Sequence, residues 1–200
     1  MVLDLIGAHY QVIDVPYGDR TELAELTGGY ILVPVLVTEN GEVITDSRNI
    51  CRKLTSEGPG SRLVPSQIAG PVWAYADWCD GPLEDVMFRI ASPHIRRQFA
   101  RAADRALFTF IKERKFGPAC VDQWERDHDA LIKKASELLA PTLQTLESEP
   151  FIFGSQPTLA DAALFGQLTM LSVADSNLPS RISEAFVPWI RRLEQRRLST

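Results

Sequence analysis

The stretch YILVPVLVTENGEVITDSRNICRKL, residues 30–54, carries the decision about the fold. Its apolar run VPVLVT and the shorter EVIT flank ENG, a turn signal, so the two read as strands of a hairpin. Asp46-Ser47 then opens DSRNICRKLT, which has the side-chain acceptor of a helix start. Pro34 cannot donate to a ladder and belongs at the first residue of its strand or on an edge. One hairpin therefore brings Val33-Pro34 and Asp46-Ser47 into the same neighbourhood.

The two pairs offer complementary chemistry. A cis Val33-Pro34 bond would turn the Val33 carbonyl and amide outward to meet an extended peptide, although only about 5–6% of X-Pro bonds are cis, so the dipeptide alone favours a trans strand start. The first-turn amides of a helix, at the positive end of its dipole, accept a carboxylate. Ser47 adds a hydroxyl donor, and Asp46 holds an ammonium if its carboxylate is not spent on the cap. Taken singly, Asp46-Ser47 reads equally well as an ordinary cap followed by a solvated serine. Taken with Val33-Pro34, it suits a small γ-linked peptide bearing both an ammonium and a carboxylate.

Working outward, MVLDLIG reads as the end of a helix stopped at Gly7, YQVIDVPY (10–17) as a strand, and RTELAELTGG (20–29) as a short helix closed by glycine. GPGSRLVPS, 58–66, interrupts the pattern and reads as a linker. Beyond it strands vanish, and apolar residues recur at helical spacing, as in Phe99, Ala102, Ala103, Ala106, Leu107, Phe110 and Ile111, and again in Leu131, Ile132, Ala135, Leu138 and Leu139. Pro141 and Gly81-Pro82 are expected to kink or divide their helices. The expectation is an α/β domain over 1–57 followed by an all-helical bundle over 67–200.

Composition narrows the function. With 21 Lys and Arg against 26 Asp and Glu, the 200-residue chain carries a net charge of -5, which argues against a nucleic-acid or anionic-membrane surface. RRLEQRR, 191–197, reads as a solvated last helical turn. No apolar run reaches the roughly 18 residues of a spanning helix, and the first ten residues lack the features of a signal peptide; the expected address is the cytoplasm. Cys51, Cys79 and Cys120 form no CxxC and read as reduced thiols packed as small hydrophobes. No metal site is expected: His128 in ERDHD (125–129) reads as part of a polar helical face, as do Arg101 and Arg105. Trp73, Trp78 and Phe88 read as core, with Tyr75 the candidate exception.

GGYILVPVL, GEVITDSRNICRKL and GSQPTLADAALFGQL, in that order, resemble the glutathione transferase superfamily. The resemblance implies a thioredoxin-like first domain and a helical second one, with glutathione as a substrate. Val33, ahead of a cis Pro34, would pair through its backbone with the cysteinyl part of glutathione, while Asp46 and Ser47 would hold its γ-glutamyl end. Leu32 stands where many members keep a polar side chain for the glycyl carboxylate. Tyr75 and Trp78 would line the pocket of a small-molecule electrophile, and Thr158 with Asp161 would form a structural capping box. A homodimer is implied as well. The family's catalytic tyrosine, serine or cysteine stands at the start of the first helix; MVLDLIG matches only the second half of that helix and HYQVIDVPY the second strand. The catalytic residue is therefore unassigned, and the expectation is that the first strand and the front of that helix are missing. A non-catalytic binding or assembly module of the same fold is the alternative.

Overall fold

The computed structural model describes residues 1–198. Helix α1 (Val2–Ile6) ends at Gly7, whose φ of 73° is the left-handed turn that glycine adopts without a Cβ penalty. Helix α2 (Thr21–Thr27) is closed the same way by Gly28. Strands β1 (Val35–Val37) and β2 (Val43–Thr45) pair antiparallel, with Val35 opposite Thr45 and Val37 opposite Val43. The turn between them is held by Thr38 and Glu42, the Thr38 amide donating to the Glu42 carbonyl at 3.0 Å. Helix α3 (Ser47–Ser56) follows directly.

The expected strand at 10–17 does not form. Residues 8–20 contain neither helix nor strand, and Val12 and Ile13 are 73% and 75% exposed. Among the described residues the sheet has two strands only; β-branched composition makes a strand only where a partner supplies a ladder and a face to pack on.

The expected linker is ordered and packed. Gly58–Leu63 forms a 3-10 turn with Leu63 buried, and Gly60 presses so closely on α3 that a Cβ there would lie 1.7 Å from the Leu54 carbonyl oxygen. After a second 3-10 turn (Ser66–Ile68), α4 (Ala69–Trp78) passes through a π turn (Cys79–Leu83) into α5 (Glu84–Gln98). Gly81-Pro82 thus interrupts its helix as expected, because Pro82 has no N–H for the α ladder. Pro141 does not divide its helix. It lies within α8 (His128–Ser148), which runs through it.

The bundle is completed by α6 (Ala102–Phe116), α7 (Cys120–Arg126), α9 (Leu159–Ala174), α10 (Leu178–Ile182) and α11 (Phe186–Leu198). Helix α9, apolar nearly all round, is buried along most of its length. Its start is fixed by Asp161, whose carboxylate accepts the Thr158 amide at 2.9 Å and the Thr158 hydroxyl at 3.0 Å. The core around α9 includes Met87, Ile90, Leu139, Leu164 and Trp189, and it also takes in Leu5 of α1 and Leu63.

Helix α6 departs from expectation. Its periodic apolar face is turned to solvent, with Leu107, Phe110 and Ile111 exposed and Phe110 57% accessible. The buried side is the one carrying Phe108, which packs on Cys120, Val121 and Trp124 of α7. At the other end of the chain the basic stretch is the end of α11: Arg191 and Arg196 are exposed, Leu193 is buried, and Arg192 Nε donates to the Pro150 carbonyl at 3.1 Å. Among the described residues no helix is long and apolar enough to cross a membrane.

Candidate functional site

The ladder ends with Val35 opposite Thr45, so Val33-Pro34 directly precedes β1 and Asp46-Ser47 directly follows β2, at the same end of the hairpin. The Val33-Pro34 bond is cis, as the resemblance implied. Val33 is exposed, and its main chain takes no part in a hydrogen bond within the described residues. After β2, one Asp46 carboxylate oxygen accepts the Arg48 and Asn49 amides at 3.0 and 3.2 Å, which leaves the exposed Ser47 at the first helical position. Asp46 has φ 74°. For a non-glycine residue that conformation costs on the order of 1–3 kcal/mol and is held here by the cap.

The start of α3 opens into a cleft of about 410 Å³ lined by Asp46, Ser47 and Arg48, by Asp77 of α4, by Asp80 of the π turn and by Glu84 of α5. Arg48 forms an ion pair with Asp77 and lies 5.2 Å from the Trp73 ring centroid. Four carboxylates thus face one guanidinium, a field that favours a cation. Burial pushes the Asp80 carboxyl up, with Arg48 opposing; burial and then the nearby Asp80 push Glu84 up. Asp77, Asp80 and Glu84 escaped the sequence reading. Their 77/80/84 spacing, one face of a helix, was the available signal.

Tyr75 and Trp78 point elsewhere. The Tyr75 hydroxyl meets Thr142 Oγ1 of α8 at 2.7 Å, its ring lies 5.2 Å from that of Trp78, and both pack against the central core. Burial raises the Tyr75 phenol above its ordinary range. Neither residue lines the acidic cleft; Trp73 is the aromatic beside it, through Arg48. Phe88 stacks edge-on with Trp124. The three cysteines are free, and burial pushes the Cys51 thiol up to about 11 and raises those of Cys79 and Cys120 as well. A thiol raised in this way is mostly protonated at neutral pH and is a poor nucleophile. Arg101, just before α6, is paired with Asp104 at 3.9 Å, and Arg105 of α6 donates to the Ala100 carbonyl at 3.1 Å; both are exposed. His128 is half-buried against His94, not on a solvated face. Leu32 is exposed.

No curated protein gives a significant sequence match. Similar solved structures include a glutathione transferase from Phanerochaete chrysosporium, with TM-score 0.71, 16% identity, and 98% of this chain and 85% of that chain covered. A glutathione S-transferase of Ceriporiopsis subvermispora in complex with glutathione gives 0.71, 16%, 98% and 86%. One from Rhodospirillum rubrum F11 gives 0.65, 19%, 96% and 83%. At these identities the likeness shows the fold. The family model for the glutathione S-transferase N-terminal domain matches residues 1–57, and that for its C-terminal domain matches residues 118–196. With both domains of one family matched in order over an α/β first part and a helical second part, the chain belongs to the glutathione transferase superfamily.

Proposed function

We propose that the chain uses glutathione in reaction with a small electrophile, and that glutathione lies across Val33-Pro34 and the start of α3. The observation that carries this reading is the shared end of the hairpin: the unengaged, exposed main chain of Val33 directly precedes β1, and Asp46-Ser47, which directly follow β2, line a cleft whose carboxylates suit an ammonium. Val33 pairs with the cysteinyl main chain. Ser47 and the dipole of α3 take the γ-glutamyl carboxylate, and Asp46 takes the ammonium with the oxygen it does not spend on the cap. Three free thiols fit a reducing compartment such as the cytoplasm. The exposed apolar stripe of α6 fits a homodimer contact.

A second reading, glutathione binding without conjugation, is favoured by one observation. The Tyr75 hydroxyl is engaged with Thr142 in the central core, and Cys51, Cys79 and Cys120 are packed among apolar side chains, so none of these four groups stands free beside Val33.

Calorimetric titration with glutathione tests the site. Asp46→Asn keeps a cap acceptor and removes the charge, so affinity falls about tenfold, the loss of one charge-assisted contact, with the melting temperature nearly unchanged. Equal affinity in wild type and variant would remove Asp46 from the site. Turnover with an aromatic halide then separates conjugation from binding alone.

A further inference from the structure

Two half-buried histidines meet where α5 approaches the first residue of α8: His94 Nε2 and His128 Nε2 are 3.3 Å apart, with ring centroids at 5.3 Å and planes at 45°. Such a pair hydrogen-bonds only if one facing nitrogen carries a proton and the other does not. The outer nitrogens decide which. Arg181 Nη1 of α10 lies 3.5 Å from His128 Nδ1, and a guanidinium can only donate, so Nδ1 is bare and the His128 proton sits on Nε2. His94 Nε2 is then the acceptor. Its own proton is on Nδ1, which faces Asp175 Oδ2 at 3.7 Å, just beyond α9.

The chain Arg181, His128, His94, Asp175 therefore runs in one direction with both imidazoles neutral. A further proton has nowhere to go. On His94 Nε2 it would oppose the His128 N–H, and on His128 Nδ1 it would oppose the Arg181 guanidinium. We propose that the His94–His128 pair is a pH-operated latch that holds α8 and α10 to α5 while both rings are neutral, and loosens that junction on acidification.

The surrounding arginines act in the same sense, and the surrounding carboxylates oppose them. Arg97 and Arg181 face both rings, while Asp175 and Glu125 oppose them at His94 and Asp129 opposes them at His128. Asp129 is engaged with Arg181 at 2.8 Å and Glu125 with Arg97 and with Arg96 at 3.4 Å, while Asp175 accepts the Asn177 amide on Oδ1 at 2.9 Å and faces His94 with Oδ2. Burial, the first cause at each ring, lowers both imidazoles from the ordinary value. A histidine lowered in the fold leaves the unfolded chain binding more protons through the window just below the ordinary value of about 6.5. Stability is therefore full above that window and falls as pH drops through it.

The test compares wild type with His94→Gln/His128→Gln, which keeps neutral amides at both positions. Between pH 7.5 and 5.5 the melting temperature of wild type should fall further than that of the double variant by at least about 2 °C, a shift that a chain of this size shows on a modest loss of stability. Should the variant fail to fold, NMR titration of the wild-type imidazoles decides alone: coupled titration in two steps below about 6.5 supports the latch. Equal pH dependence in the two proteins, or two histidines titrating independently at or above about 6.5, overturns it.

Discussion

At the scale of single residues, two aspartates sit at helix starts and do different work. Asp46 is exposed, holds a positive φ, and caps α3 with one oxygen; replacing it by alanine loses the cap and retains the strained backbone, at a cost of about 1–2 kcal/mol in chemical denaturation. Asp161 is fully buried. Beyond Thr158, its Oδ1 accepts the Ile152 amide at 3.0 Å and Trp189 Nε1 at 3.1 Å, so one carboxylate ties the start of α9 to the preceding turn and to α11. The cost of a lost cap alone, on the order of 1 kcal/mol, is therefore too small a figure here. Asp161→Ala strands three buried N–H donors and should cost about 3 kcal/mol or more, lowering the melting temperature by roughly 6–12 °C while leaving glutathione affinity unchanged in calorimetry. Binding lost without a loss of stability would contradict this structural role.

At the scale of elements, α6 shows what periodicity can and cannot tell. The repeat from Phe99 to Ile111 correctly marks a helix, yet it misidentifies the buried face, because α7 packs on the Phe108 side and the sequence holds no record of which side a neighbour takes. The stripe left exposed, Leu107, Phe110 and Ile111, borders a shallow groove of about 500 Å³ rimmed by Arg97, Arg105 and Glu113. Around a two-fold axis near Phe110, antiparallel α6 helices would set Arg105 of each copy against Glu113 of the other and bury the apolar stripe. On the proposed homodimer, Phe110→Glu should lower the sedimentation coefficient to that of a monomer, with the fold retained by circular dichroism; a sedimentation coefficient identical to wild type would count against a contact through α6. The hairpin, the start of α3 and the capping box of α9 were legible because turn and cap residues act over three or four positions. The strand expected at 10–17 was not, since its ladder depends on a distant partner, and Asp77, Asp80 and Glu84 became a site only once α4 and α5 were laid against α3.

At the scale of the whole molecule, the α/β and helical parts are joined by packing and by charge. Leu5 of α1 and Leu63 of the 3-10 turn belong to the same apolar core as Leu164, Leu168 and Trp189, Arg62 donates to the Leu5 carbonyl, and Arg48 of α3 pairs with Asp77 of α4. The linker is anchored by the buried Gly60 and Leu63, and the acidic cleft between α3 and α4 keeps its shape only as long as both parts stay docked. Leu5→Ala removes a fully packed side chain from that shared core and should cost about 2–5 kcal/mol. The cost should appear in the fluorescence of Trp73, Trp78, Trp124 and Trp189, all of them in the helical part, as a single cooperative transition moved to lower denaturant concentration with an unchanged slope. Far-ultraviolet circular dichroism should follow the same curve. A tryptophan transition left in place while the dichroism signal gains an early phase would show that the first part melts by itself, and the cleft would then be a surface that the two parts form only intermittently.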